Sequence, residues 1–213
     1  MTVPAEFLDN VTPVVDEHAL LRYLGYPAGK APHGRVAEVL GRQRQLLAGL
    51  VEPRAVYMNC SGQECFAFDF PLYDHEVVLC VVTIGSALEA KTSEYAARGD
   101  VVSAFVLDTL GSVHAEGTAE AAYQQLAAVA RRDGLQLGCR ISPGYGTWSL
   151  SYQRAIFDLL PVERIGVHLT PGLMMVPRKS VSFAAERSPE PIRLREGDQC
   201  AYCLMLDCRY RRE

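Results

Sequence analysis

Apolar residues recur at helical spacing in five parts of the chain and form short runs between them. Spacings of three and four predict helices over residues 17–24, 35–51, 86–98 and 100–132, and a fifth helix that begins near Tyr152. The fourth helix contains Gly111 and Gly117, and a break at either glycine is left open. Short apolar or alternating runs predict strands over residues 55–60, 65–70, 76–85, 164–169 and 179–185.

The order of these elements predicts the fold class. Helices and strands are mixed without the regular alternation of a doubly wound parallel sheet, and residues 61–64 suit a hairpin turn. Residues 77–82 form a continuous apolar run, which is typical of a central strand covered on both faces. We therefore expect an α+β fold with a largely antiparallel, twisted sheet and helices packed on it.

The same pattern predicts how the chain is divided. A helical N-terminal region (1–54) precedes an α+β core (55–187), and a polar linker leads to a cysteine-rich tail (188–213). We expect these three parts to form one compact unit, since their combined length is that of an ordinary domain.

Composition and charge exclude several classes of partner. The chain has 213 residues, 49% of them hydrophobic, which is enough to bury one substantial core. Its net charge is −4 with both signs interspersed, so neither nucleic acid nor an anionic membrane is an expected partner. No apolar run approaches the ~20 residues of a membrane span, and the first residues lack a signal-peptide pattern. These features predict a soluble, cytoplasmic protein.

One short stretch combines turn residues with side chains that could hold a ligand. It reads Arg140-Ile141-Ser142-Pro143-Gly144-Tyr145. Pro143 presets φ and Gly144 tolerates a positive φ, so the pair predicts a turn. The turn would place a guanidinium, a hydroxyl and an aromatic ring on one small surface, which suits a ligand with a carboxylate and a flat ring. The alternative is an ordinary loop with a solvated arginine.

The seven cysteines fall into two groups. Those in or beside apolar segments are expected to be free thiols: Cys60, Cys65, Cys80 and Cys139. The others form a C-terminal CxxC-x4-C pattern: Cys200, Cys203 and Cys208. Cysteines at CxxC spacing can ligate one metal, and the pattern predicts zinc or an iron–sulfur cluster, between which sequence does not decide. A fourth ligand would come from Cys60, Cys65, a histidine, an exogenous group or a second chain; a reduced or redox-active tail is the alternative.

The Arg140-to-Tyr145 stretch is followed by Gln153 in the next helix and by the sequence Met174-Met175-x-Pro177-x-Lys179-Ser180-Val181-Ser182. In these motifs the chain resembles the activation domain of cobalamin-dependent methionine synthase. Free-standing members of the family also have segments similar to Leu107-Asp108-x-x-Gly111-Ser112-x-x-Ala115-Glu116. Such members tend to end in a cysteine pattern like that of the tail here. The likeness covers residues 76–213 well and the first 55 residues weakly.

The resemblance implies a ligand, a partner and a set of site residues. The family domain binds S-adenosylmethionine and supports methyl transfer to inactive cobalamin, with a flavodoxin- or ferredoxin-type protein as electron donor. By the same likeness Arg140 holds the methionine part of the ligand, and Ser142 and Gly144 lie against it. Tyr145 lies beside the ligand and the corrin, Glu116 is an acidic contact from a helix, and Asp16 is a second acidic contact. These residues position the ligand, and none is expected to act as an acid or base.

Two functions follow from this resemblance. In the first, the chain is a reactivation-like protein that binds S-adenosylmethionine and docks on a corrinoid protein or a shortened methionine synthase. In the second, it is a non-catalytic docking or assembly module for a corrinoid protein, with a structural metal in its tail. The joint presence of Arg140, Tyr145 and Glu116 favours the first. The sequence Phe183-Ala184-Ala185 favours the second, because it replaces a glycine and an aromatic pair of the methionine synthase domain.

Overall fold

The computed structural model describes residues 4–27, 29–66, 71–72, 74–145, 148–190 and 192. The helices are α1 (Glu17–Tyr23), α2 (Gly34–Leu46), α3 (Gly62–Cys65), α4 (Ala87–Ala97), α5 (Val101–Arg132) and α6 (Tyr152–Leu159). The strands are β1 (Glu6–Leu8), β2 (Arg54–Ser61), β3 (Glu76–Thr83), β4 (Gln136–Leu137), β5 (His168–Leu169), β6 (Met175–Val176) and β7 (Ser180–Ser188). Short 3₁₀ turns cover Leu47–Gly49 and Val162–Ile165.

The main sheet has the strand order β1-β2-β3-β7-β4, and neighbouring strands are antiparallel throughout. β5 and β6 form a separate antiparallel pair. β3 is the middle strand, and seven of its eight residues are buried. The predicted α+β class, the antiparallel sheet and the doubly covered central strand are therefore confirmed.

Each face of β3 supports its own part of the core, because alternate residues of a strand point to opposite faces. Val78, Cys80 and Val82 pack against Ala119 and Ala122 of α5. The other alternate set packs towards α6 and the loop before it, in a cluster of aromatic and branched side chains: Val77, Leu79, Val81, Trp148, Ile156 and Leu160. The site region lies where α5 and the sheet meet.

The long helix α5 runs unbroken past both glycines, so the interruption left open at Gly111 or Gly117 does not occur. Asp100 caps its start by accepting a hydrogen bond from Ser103 N at 3.2 Å. Both glycines instead allow neighbours to approach closely: Leu88 of α4 lies over Gly111, and the backbone of Val14 lies over Gly117. None of the helices in the described ranges combines the length and the apolar character needed to cross a membrane.

Three sequence predictions are wrong in detail. Residues 61–64 do not form a hairpin turn and 65–70 do not begin as a strand, because Cys65 ends the one-turn helix α3. The apolar residues there have a pattern that is typical of a strand, but Cys65 and Phe66 pack into the core from a single helical turn. Residues 164–169 are also not one strand, since a 3₁₀ turn ends at Gly166, whose φ is +78°. Only β5 is extended there.

The N-terminal region is not purely helical. β1 pairs with β2 and extends the main sheet, with Glu6 directly opposite Tyr57. Three residues are too few to show a periodic pattern, which is why the sequence did not predict this strand. The proposed boundary at residue 54 stays a prediction, with the qualification that β1 belongs to the sheet of the core.

We expect Tyr57 to make the protein less stable at alkaline pH. Burial, followed by a 2.8 Å hydrogen bond to Glu6, raises the pKa of Tyr57 from about 10 to about 12. The folded state therefore holds the phenolic proton more tightly, and this stabilisation is full below pH ~10 and is lost as the pH rises towards ~12. Allowing for solvent screening, the loss is about 1 kcal/mol.

Urea unfolding at about pH 9 and about pH 11.5 measures this effect in the wild type and in Tyr57→Phe. The variant cannot ionise at this position and should lose less stability between the two pH values. Equal losses in both proteins would contradict the assignment.

Candidate functional site

The predicted turn is present and has the geometry that its residues dictate. The backbone N–H of Tyr145 donates to the carbonyl oxygen of Ser142 at 3.2 Å, across Pro143 and Gly144. The φ of Gly144 is +88°, a conformation that an L side chain rarely adopts. The Tyr145 side chain stands 72% exposed at the end of the turn. The turn thus presents an aromatic ring to solvent on a constrained backbone.

Trp148 anchors the turn to the core. Gly144 N donates to Trp148 O at 2.8 Å, and Trp148 N donates to Tyr145 O at 3.1 Å. The indole is buried and makes edge contacts with Phe66, whose ring centroid lies 6.2 Å away. Trp148 therefore links the backbone of the turn to the core on the α6 side of the sheet.

Arg140 is buried, whereas the sequence suggested a guanidinium on the surface. Its side chain is 7% exposed and lies between the sheet and α5. The guanidinium carbon is 5.7 Å from the centroid of the Phe183 ring on β7. On the other side the Nη2 atom donates to Glu120 Oε2 of α5 at 3.2 Å. This arrangement fixes the fork of donors before any ligand arrives.

The pairing of residues 136–141 with β7 explains on which face of the sheet the Arg140 side chain lies. β4 pairs with the end of β7, Gly138 N donates to Glu186 O at 2.9 Å, and Ile141 bridges to Ala184. Ile141 packs into the cluster on the α6 side of the sheet. Arg140, one residue earlier, is directed to the opposite face, where α5 lies.

The acidic residues of the site are supplied by α5. Glu116 and Glu120 are four residues apart and therefore lie on one face of the helix, about 6 Å apart along its axis. Glu120 contacts Arg140, and Glu116 is exposed one turn away. The predicted ligand contact Glu116 thus lies one helical turn from the residue that holds the predicted arginine.

The segment before Asp16 makes a close backbone crossing with α5. Val14 N donates to the carbonyl oxygen of Gly117 at 3.1 Å, and a Cβ at Gly117 would lie 2.3 Å from Val14 O. Gly117 directly follows Glu116 in the chain, so the segment that leads to Asp16 crosses α5 at the same turn of the helix. Asp16 is exposed and caps α1 by accepting from Ala19 N at 3.0 Å. One carboxylate can accept several hydrogen bonds, so the cap leaves Asp16 free to accept others.

The sequence did not single out Glu120 or Phe183 as partners of Arg140. Glu120 could have been found from the sequence, because it lies four residues after Glu116 and a helix places both carboxylates on one face. Phe183 could not have been, since its contact with Arg140 depends on the register of β4 and β7.

A second polar cluster joins residues that the family resemblance had grouped by sequence. The buried Lys179 Nζ lies 2.9 Å from Asp108 Oδ1 and donates to Ser112 Oγ at 2.8 Å, while Lys179 N donates to Glu89 Oε1 at 2.8 Å. These contacts tie α4, α5 and the start of β7 together. We assign the cluster a structural role, because its donors and acceptors satisfy one another.

The predicted metal site at Cys200, Cys203 and Cys208 lies outside the described residues. Within the described part of the chain, no group of three or more histidine, cysteine or acidic side chains is arranged to hold a metal. The other four cysteines are free thiols, as expected: Cys60, Cys65, Cys80 and Cys139. Metal binding by the tail stays a prediction.

Comparison with known proteins finds similarity to a family model and to solved structures. A family model described as "Vitamin B12 dependent methionine synthase, activation domain" matches residues 72–191, more than half of the chain. Among solved structures, the chain is similar to one titled "Crystal Structure of the MetH Reactivation Domain bound to AdoHcy", with a TM-score of 0.60. The two share 15% sequence identity, and the match covers 93% of this chain and 84% of that one, which shows a common fold. No curated protein matches the chain significantly.

Proposed function

Because the chain belongs to the family of the vitamin B12 dependent methionine synthase activation domain, we propose that it binds S-adenosylmethionine and supports the reductive methylation of cobalamin. The cobalamin would be held by a separate protein. In this proposal the turn, the acidic face of α5 and the segment that carries Asp16 all contribute to one binding site for S-adenosylmethionine.

The main observation behind the proposal is that contacts on both sides fix the position of the Arg140 guanidinium. The contacts with Glu120 and Phe183 orient its planar fork of donors. A bidentate pair with the carboxylate of the methionine moiety would use two parallel donors of the fork. An arginine held in this way loses little conformational freedom when it binds.

The acidic residues complement the other end of the ligand. S-adenosylmethionine carries an ammonium and a sulfonium, both positive, and two ribose hydroxyls that can donate hydrogen bonds. Glu116 and Asp16 supply carboxylates that accept from these groups. The solved relative contains AdoHcy, which shares the carboxylate, ammonium and ribose groups, and this supports the assignment of the ligand class.

The chemistry needs positioning more than proton transfer. When the methyl donor is bound, the reaction it supplies is transfer of its sulfonium methyl group to the cobalt of reduced cobalamin. The protein must hold the donor in line with a corrin brought by its partner. Ser142 and Gly144 constrain the backbone beside Arg140, and Tyr145 offers a flat aromatic face to the incoming ring system. No general base is required of these side chains.

The partner follows from the same proposal. A protein of this family that acts on cobalamin without holding it must dock on a cobalamin-binding protein. The exposed Tyr145 and the half-exposed Leu150, whose side chain would lie 3.4 Å from a Cβ at Gly144, give the turn an apolar outer surface. A corrinoid protein or a shortened methionine synthase would cover this surface, and a flavodoxin- or ferredoxin-type protein would supply the electron.

One observation favours the docking module as a second candidate. Phe183, Ala184 and Ala185 are fully buried in β7 and belong to the core on both faces of the sheet. They therefore offer no aromatic wall to a ligand. A protein without that wall could keep the docking surface and bind no methyl donor.

Calorimetric titration of S-adenosylmethionine into the full, anaerobically purified chain distinguishes the methyl-donor-binding function from the docking module. The first function predicts saturable binding with one ligand per chain, and S-adenosylhomocysteine should compete. The docking module predicts no heat of binding for either compound while binding to a cobalamin protein persists.

The terminal cysteines give a separate expectation. If the tail binds zinc or an iron–sulfur cluster, Cys203→Ser should lower the metal content per chain, because one of the thiolate ligands is lost. Elemental analysis and the visible absorption spectrum distinguish the two metals. Cys139→Ser is the matched control, and a metal-free wild type would exclude the site.

A further inference from the structure

A glutamine occupies the buried face of α2. Val39 and Leu40 pack against α5, and Gln43 follows them at helical spacing, where the pattern calls for another apolar residue. Its side chain is 1% exposed, and its Oε1 atom has no hydrogen-bond partner in the described part of the chain. A buried amide oxygen without a partner costs stability, so its presence at this position needs an explanation.

Gln43 lines a cleft between the end of α2, the end of α4 and the start of α5. The cleft has a volume of about 420 Å³, and its lining includes Arg42, Leu46, Tyr95 and Asp100. This volume falls within the ~300–1,000 Å³ that is usual for small-molecule sites. The last torsion of a glutamine side chain is broad, so a rotation about it can present Oε1 to a ligand in the cleft.

The cleft brings a cation and an anion together. Arg42 is exposed on α2, and Asp100 caps α5 by accepting a hydrogen bond from Ser103 N at 3.2 Å. Hydrogen bonds with Ser103, and then the charges of Arg35 and Arg42, lower the pKa of Asp100. Asp100 N also donates to Tyr95 O at 3.0 Å, which fixes the carboxylate relative to the end of α4.

We propose that this cleft binds an α-amino acid with an apolar side chain. The ammonium group would donate to the Asp100 carboxylate and to Gln43 Oε1, and the carboxylate group would pair with Arg42. Leu46 and the ring of Tyr95 offer apolar surface to the side chain of the amino acid. A zwitterion complements both charges of the cleft, whereas a simple anion or cation would complement only one.

The inference does not rest on the proposed function. Asp100 lies at the start of α5, and Glu116 lies about 24 Å further along the same helix. S-adenosylmethionine itself carries an α-amino acid group, so an experiment must distinguish this cleft from the site at Arg140.

The experiment titrates L-leucine into the full chain by calorimetry and records the midpoint of thermal unfolding in parallel. We expect saturable binding of one leucine per chain and a midpoint that rises with the leucine concentration. The compounds 4-methylpentanoate and 3-methylbutylamine lack the ammonium and the carboxylate of leucine, respectively. Each should bind about 10-fold more weakly than leucine or worse, because each loses a charge-assisted contact.

Variants test the individual contacts. Gln43→Leu should bind leucine about 10-fold more weakly or worse and should unfold at a higher urea concentration when no ligand is present, because an unpartnered amide is removed. Arg42→Ala and Asp100→Asn should also bind more weakly, and asparagine keeps the helix cap. Arg44→Ala is the matched control: Arg44 is exposed, pairs with Glu17 and should not affect leucine binding.

The possible outcomes separate this inference from the proposed function. Absence of saturable leucine binding would overturn the inference and would mean that ordered water alone satisfies Gln43. Leucine binding that survives in Gln43→Leu but is lost in Arg140→Ala would also overturn it, because the amino acid would then occupy the site at Arg140. Leucine binding by a chain that does not bind S-adenosylmethionine would support the inference and contradict only the proposed function.

Discussion

Replacing Arg140 by alanine should weaken S-adenosylmethionine binding by roughly 100-fold or more. The substitution removes the fork that pairs with the ligand carboxylate, and charge-assisted hydrogen bonds of this kind contribute about 1.5–3 kcal/mol each. It also removes a buried side chain from between Phe183 and Glu120. We therefore expect the free energy of unfolding to fall as well, by about 1–3 kcal/mol, since Glu120 is only partly exposed and loses its cation.

The titration must separate these two effects. Arg140→Lys keeps the charge but not the planar fork, so its affinity should lie between those of the wild type and the alanine variant. Arg154→Ala removes an exposed arginine on α6 and should leave both affinity and stability unchanged. Circular dichroism establishes that each variant is folded. A folded Arg140→Ala chain with wild-type affinity would remove Arg140 from the site.

Replacing Gly117 by alanine should be strongly destabilising, although alanine is the better helix former. Its Cβ would lie 2.3 Å from Val14 O and 2.9 Å from Val14 C, and these are backbone atoms that cannot rotate away. The segment before α1 must then shift. We expect a net loss of about 2–3 kcal/mol, from which the helix propensity of alanine, worth about 1 kcal/mol, has already been subtracted. Urea unfolding monitored by circular dichroism measures the loss.

Two other glycines in helices provide matched controls. A Cβ at Gly41 in α2 would meet nothing within 4 Å, so Gly41→Ala should stabilise the protein by about 0.5–1 kcal/mol. At Gly111 the nearest atom is Cδ2 of Leu88 at 2.6 Å, a side chain that can repack, so the cost should be smaller than at Gly117. Equal stability of Gly117→Ala and Gly41→Ala would show that Val14 does not lie on α5.

Gly117→Ala also tests the placement of Asp16. A shift of Val14 must move Asp16, which follows two residues later and contributes to the proposed ligand contacts. We expect the folded variant to bind S-adenosylmethionine several-fold more weakly, whereas Gly41→Ala should bind like the wild type.

Sequence patterns alone were enough for the local structure and for the family. The extent of α5, the cap at Asp16 and the turn at Pro143 and Gly144 follow from spacing, hydrogen-bonding capacity and permitted φ values, all of which act between near neighbours. The run of apolar residues in β3 was likewise sufficient to place that strand at the centre. Residues 61–66 were misread, because a single helical turn and a short strand expose the same apolar residues to a core.

The tertiary structure decided what surrounds those local elements. Arg140 is buried because β4 pairs with β7 and turns its side chain towards α5, where Glu120 is 20 residues away in sequence. The segment before Asp16 crosses α5 at Gly117, because Gly117 has no side chain and lets the backbone of Val14 approach the helix. Register and close crossing depend on how whole elements pack, and local periodicity carries no information about either. The sequence therefore indicated Arg140, the turn and Glu116 as candidate site residues, and packing determined that Glu120 and Phe183 hold Arg140 in place.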